Sequence, residues 1–152
     1  MIQLIHKYRA WMNSGAEELG ADLALLTTRI LFGGMMILGH GLPKLEKFSV
    51  LADKFPDPLG IGPSLSLSLA IISEIIGSAM LILGLGTRLA ATQLMFTMVV
   101  AALIVHASDP FFAPAGAASK EFALVYLAGF LMLLLAGPGR FSIDRIISNK
   151  AA

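Results

Sequence analysis

The sequence predicts an all-α, polytopic membrane protein: a bundle of four transmembrane helices preceded by an N-terminal interfacial helix. Three observations carry this. Hydrophobic residues make up 57% of the 152-residue chain and charged residues only 14%, against about 25% charged in ordinary soluble domains. The mean hydropathy is +0.81, which leaves too few polar groups to cover a water-exposed surface. And four apolar stretches approach the roughly 20 residues that a helix needs to cross a bilayer.

The elements follow in order. The N-terminal MIQLIHKYRAWM has no uninterrupted apolar core of the kind a cleavable signal peptide carries. Ile2, Ile5, Tyr8 and Met12 recur at helical spacing, and Tyr8 and Trp11 suit a membrane interface. The four spans are expected near Leu23–Gly41, Leu65–Gly84, Leu89–Ala107 and Phe122–Gly137. They must be helices, because lipid offers no partner to exposed backbone groups. Residues 42–64 read as a proline-rich loop, with Pro43, Pro56, Pro58 and Pro63. The tight LGTR turn at 85–88 makes the second and third spans antiparallel neighbours. The GPG at 137–139 ends the fourth span. Three segments result: an interfacial segment over 1–22, a transmembrane domain over 23–140 and a C-terminal tail over 141–152.

Orientation follows from the basic flanks. Lys7, Arg9, Arg88, Arg140, Arg145 and Lys150 lie on one side, and Lys44, Lys47, Lys54 and Lys120 on the other. Six against four places both termini in the cytoplasm. With a net charge of +1 and no basic stripe, nothing points to nucleic acid. The absence of cysteine removes disulfide relays and thiolate-held iron–sulfur or zinc centres.

The informative residues are the polar ones inside apolar spans, since a charge at a helix centre costs roughly 2.5–3.5 kcal/mol on insertion and marks a functional candidate. Arg29 in the first span and Glu74 in the second are expected to form a buried ion pair, which either fixes helix register or serves function. Arg29, Gly33, Met36 and His40 share one face of the first helix, and Lys44 continues it if the helix survives Pro43. In the third helix Arg88, Thr92, Met95, Val99, Ala102 and His106 share a face. His40, His106, Lys44 and Glu121 are thereby expected to converge at the membrane face away from the termini, a candidate catalytic cluster with His40 and His106 as cofactor ligands. The bland readings are interfacial histidines, a glutamate placed for its helix dipole and packing for Tyr126.

At this point a family resemblance enters. GHGLPKLEKF resembles the G-x-x-K-L-x-x-F signature closing the first helix of DoxX-family membrane proteins. RILFGG before it, EIIGS in the second span and LGLGTRLAA after that are similar to that family's elements in the same order. The resemblance covers roughly 24–140 and matches Arg29, Gly41, Lys44, Leu45, Glu74, Gly77 and Arg88, without assigning their roles. It implies a four-helix bacterial inner-membrane protein. Some members are described as subunits of quinone-linked oxidoreductases, thiosulfate:quinone oxidoreductase among them, or as membrane partners of soluble redox proteins.

The residues and the resemblance together point to a quinone-linked redox subunit. His40 or His106 would relay protons, as histidine does near neutral pH, Lys44 would stabilise a developing quinol anion and Glu121 would orient a histidine. With no nucleotide-binding loop and no cysteine, the electrons must come from a soluble redox partner or a bound cofactor. A haem on His40 and His106, or a metal on these with Glu121, is a weaker reading, and no metal site is assigned. The competing function is a non-enzymatic membrane scaffold for a soluble enzyme. A solute carrier would require a homo-oligomer and the broken helices common in transporters.

Overall fold

In the computed structural model, residues 1–12, 16–114 and 116–151 are described, and among them the regular elements are all helical. Helix α1 covers Ile2–Met12. Three helices are long and apolar enough to cross a membrane: α2 over Glu17–Glu46 (30 residues), α3 over Pro63–Leu83 (21) and α4 over Thr87–Val105 (19). Helix α5, Glu121–Ala136, is apolar but only 16 residues long, or about 24 Å. Helix α6 covers Ile143–Ala151. Span α2 packs on α3 and α5, and α4 packs on α3 and α5, so the four close into a ring.

The ring is apolar outside and mixed inside. Leu38, Leu89, Leu103 and Leu135 are exposed on its surface, as lipid contact requires. Met36, Leu81, Leu94, Met98, Tyr126, Phe130 and Leu133 form its core. Buried with them are Arg29, Ser73, Glu74, Ser78 and Thr87. Small residues let the helices approach. A Cβ on Gly33 would stand 2.7 Å from Ile82 Cγ1 and 3.1 Å from the Ser78 carbonyl, so α2 and α3 can meet only with glycine there.

Each of the three long spans contains one π-helical turn: Ile37–Gly41 in α2, Ser73–Gly77 in α3 and Ala101–Val105 in α4. In α2 the cause is local. Pro43 has no N–H to give and its ring crowds the preceding turn. A wider turn ahead of it relieves that conflict, with the Leu42 N–H reaching the Ile37 carbonyl. The helix therefore survives Pro43 and runs to Glu46, where a loop had been expected from residue 42.

The other turns are sharper than a loop. After α3 the Gly84 N–H reaches the Leu81 carbonyl (3.1 Å) and the Leu85 N–H reaches Met80 (2.9 Å), a Schellman closure. Gly84 adopts φ +67°, and a Cβ there would collide with the Arg29 guanidinium. In α1 the Ile2, Ile5 and Tyr8 side chains are exposed, as an interfacial helix needs; those of Trp11 and Met12 lie outside the described residues. The first span starts at Glu17 rather than Leu23, and the expected tail folds as α6.

Candidate functional site

The π turns change which residues face inward. On a regular helix the stripe Arg29, Gly33, Met36 would continue to His40. One inserted residue turns everything after it by about 100°. The buried stripe instead runs Arg29, Gly33, Met36, Gly41, and Lys44 follows at the next helical step. His40 is rotated off it and meets Tyr126 of α5 edge-on, with ring centroids 5.3 Å apart. The turn at Ala101–Val105 likewise breaks the five-turn alignment expected between Arg88 and His106.

Lys44 is thus carried to Glu74. Its Nζ donates to Glu74 Oε1 at 2.5 Å, with the carboxylate side chain only 4% exposed and the lysine 24% exposed. The expected Arg29–Glu74 pair does not form. Gly41 is the α2 residue against Glu74, and it lies twelve residues beyond Arg29, about 18 Å along the helix at 1.5 Å per residue. No arginine side chain spans that gap.

Arg29 does different work at the opposite end. It is fully buried, and it donates to the Phe141 carbonyl at 2.5 Å and to the Ile82 carbonyl at 3.3 Å. Next to it, Asp144 Oδ1 accepts the Gly86 N–H (2.7 Å) and Oδ2 the Thr87 N–H (2.8 Å), capping α4. The Asp144 N–H reaches the Gly84 carbonyl at 2.9 Å, and the Arg140 N–H reaches Asp22 Oδ1 at 2.8 Å. Burial raises the Asp144 pKa, but the N–H groups of Thr87 and Gly86 and the nearby Arg29 charge outweigh it and hold the carboxyl below its ordinary value. Arg29 and Asp144 therefore clasp the chain's C-terminal segment to the bundle.

A cavity of about 490 Å³ lies between α3 and α4, with the Lys44–Glu74 pair in its wall. Leu69, Ile72, Phe96, Val100 and Val105 give it apolar sides, and Phe55, Pro56, Pro58, Leu59 and Ile61 of the α2–α3 loop contribute the rest. Asp57 fastens that loop by accepting from the Ser66 hydroxyl (2.8 Å), the Gly62 N–H (2.8 Å) and the Ile61 N–H (3.0 Å). The Ser66 bond foremost, helped by Gly62, Ile61 and Gly60 against the opposing effect of burial, holds its pKa below the usual carboxylate range.

The polar lining consists of Lys44, Glu74, Ser66, Ser73, Gln93, Thr97 and His106. Ser73 and Thr97 hydroxyls are 2.7 Å apart and tie α3 to α4. His106 Nδ1 lies 2.6 Å from Asp109 Oδ2. A carboxylate only accepts, so Nδ1 carries the proton and Nε2 is left free to exchange one. Glu74 Oε2 is buried without a hydrogen-bond partner.

The expected cluster is therefore divided. Lys44 and His106 line the cavity together with Glu74, whereas His40 packs on Tyr126 and Glu121 is not in the lining. His40 and His106 do not share that wall, and among the described residues no group of three or more His, Asp or Glu is placed to hold a metal ion. Sequence reasoning passed over Ser73, Gln93 and Thr97, although Gln93 and Thr97 stand one helical turn apart inside an apolar span. It also passed over Asp109, three residues after His106, and Asp144, just beyond the GPG stop.

The DoxX family model matches residues 24–107. The membrane protein Rv3486 of Mycobacterium tuberculosis is 31% identical over 140 residues, 80% of each chain. An uncharacterized protein of Haemophilus influenzae is 29% identical over 137 residues, covering 88% of this chain and 89% of its own. The inner membrane protein YqjF of Escherichia coli is 30% identical over 131 residues, covering 85% of this chain and 95% of its own. No solved structure matches. The matched segment takes in Arg29, Lys44, Glu74 and His106, and with the family model covering more than half of its length this chain belongs to the DoxX family of membrane proteins.

Proposed function

We propose that this chain is a quinone-binding subunit of a redox system in the bacterial inner membrane and works with a soluble electron-donating partner. The observation that carries the reading is the cavity between α3 and α4, apolar on its sides and charged at Lys44–Glu74. A ligand pocket of this kind combines apolar walls with a few placed polar groups. Leu69, Ile72 and Phe96 are half exposed on the outer face of the bundle, so a lipid-dissolved ligand can approach from the bilayer.

The residues suit a quinone. The ammonium of Lys44 donates to a carbonyl oxygen and offsets negative charge growing there. His106, oriented by Asp109, gives or takes a proton at Nε2. Glu74 holds Lys44 in place, and the apolar walls exclude water. A bound quinone would supply the two-electron, two-proton chemistry that the side chains of this chain lack.

The excess of Lys and Arg at the end that holds the termini, including Arg88, Arg140 and Arg145, supports placing both termini in the cytoplasm. The inner-membrane location of the Escherichia coli relative supports the same membrane. The cavity then lies toward the outer leaflet.

The test is gentle purification followed by a visible spectrum, quinone extraction and thermal unfolding with quinone analogues. Co-purifying quinone, or saturable protection by an analogue, is expected. A protein that carries no quinone and is neither bound nor protected by analogues would make the chain a membrane scaffold, with α1 and α6 as the surfaces offered to a partner.

A further inference from the structure

The quinone site is not symmetric between donors and acceptors. Lys44 engages Glu74 Oε1, while Oε2 is buried without a partner. Next to Glu74 in the chain, Ser73 and Thr97 share a hydrogen bond of 2.7 Å. Thr97 Oγ1 donates to the Gln93 carbonyl at 3.2 Å, so the Ser73 hydroxyl must donate to Thr97. Both hydroxyl protons are committed, and what these two residues still offer is lone pairs. Apart from the remaining Lys44 protons and the Gln93 amide, this part of the wall presents acceptors.

The two oxidation states of a quinone meet this arrangement differently. A carbonyl oxygen can receive Lys44 but leaves Glu74 Oε2 unpaired. A hydroxyl oxygen can receive Lys44 and donate its own proton to Oε2. Only the hydroxyl serves both the Lys44 ammonium and the buried Glu74 Oε2, and a site built around hydroxyl recognition discriminates against analogues that lack it.

We infer that the cavity binds the hydroquinone form in preference to the quinone form, with Glu74 Oε2 accepting a ring hydroxyl. This rests on the quinone reading and specifies the redox state it favours. Reduction of the bound quinone adds two electrons in all to the ring system and one proton to each of its two carbonyl oxygens. The electrons come from a haem- or flavin-bearing partner and the protons from water by way of groups such as His106. Tighter binding of the product makes that reduction more favourable, so the site suits delivery of electrons into the quinone pool.

The test uses the full chain in detergent, without oxygen, and calorimetric titration with three probes: decylbenzoquinone, decylhydroquinone and the dimethyl ether of the latter. The hydroquinone should bind about tenfold more tightly than the quinone, and the ether, which has no proton to donate, should lose that advantage. Glu74→Gln, checked for helix content by circular dichroism, should narrow the gap, because an amide can donate to a carbonyl. The three-probe series on the unaltered chain decides the matter even if that variant does not fold. Saturable binding of quinone and hydroquinone with equal affinity would overturn this preference and leave the quinone site standing. Saturable binding of neither would overturn the quinone site itself, and the preference with it.

Discussion

Replacing Lys44 by Met should destabilise the protein more than replacing Glu74 by Gln, although both break the same ion pair. The difference comes from burial. Removing Lys44 strands a carboxylate that is 4% exposed, whereas removing the Glu74 charge leaves a lysine that is 24% exposed and can reach solvent at the loop end. Stranding one member of a buried pair costs about 3–5 kcal/mol. The low end, about 3 kcal/mol, applies here because the lysine is only partly desolvated. At about 2–4 °C per kcal/mol for a chain of this size, Lys44→Met should lower Tm by about 6–12 °C. For Glu74→Gln the amide oxygen can still accept from Lys44, so the loss is the difference between a hydrogen bond within an ion pair and one to a neutral acceptor, about 1–2 kcal/mol. The double variant Lys44→Met/Glu74→Met removes both charges and should recover most of the stability, since apolar replacement of a buried pair is often neutral. The assay is thermal unfolding in one detergent, followed by circular dichroism for all four proteins. A Lys44→Met variant as stable as the parent, or less affected than Glu74→Gln, would refute the reasoning.

Three further outcomes follow from the clasp and the helix contacts. Arg29→Met strands the Phe141 and Ile82 carbonyls and should cost about 2 kcal/mol or more, with faster proteolysis beyond residue 137; unchanged cleavage would show that Arg29 does not hold that segment. Asp144→Ala removes both N–H contacts at the start of α4 and should cost about 1–2 kcal/mol near neutral pH. Because the Asp144 pKa is lowered on folding, its contribution is present above the unfolded carboxyl pKa and fades as pH falls through the folded value. The Tm gap between Asp144→Ala and the parent should therefore close below about pH 4, and a pH-independent gap would contradict the assignment. Gly33→Val places a side chain against Ile82 Cγ1 at 2.7 Å and the Ser78 carbonyl at 3.1 Å, so the α2–α3 contact must shift, and should cost about 1–3 kcal/mol by thermal unfolding.

Much of the fold was legible because bilayer thickness and backbone satisfaction leave few choices. The four spans, the tight turn at Gly84–Gly86 and the short final span all read directly from apolar length and glycine or proline punctuation. Arg29, Lys44, Glu74 and His106 stood out as polar groups in apolar surroundings. Their partners did not: Arg29 and Glu74 are separated along the helix axis rather than by facing, Arg29 bonds carbonyls at the far end of the bundle, and the facing of His40 depends on a turn wider than 3.6 residues. One such turn exchanges His40 for Gly41 on the buried stripe and brings Lys44 to Glu74. Pro43 was the available signal, since a helix that survives a proline must adjust the turn before it. The roles of Asp109 and Asp144 depend on how chain segments fold back, which local pattern does not encode.

The most direct measurement is photoaffinity labelling with an azidoquinone, followed by mass-spectrometric mapping of the labelled peptides. The account predicts saturable label on the α3 and α4 segments that line the cavity, around Leu69–Glu74 and Phe96–His106, displaced by excess decylhydroquinone and lost in the folded Lys44→Met/Glu74→Met variant. Label spread evenly over the lipid-facing surface, or confined to the Arg29–Asp144 end, would contradict it.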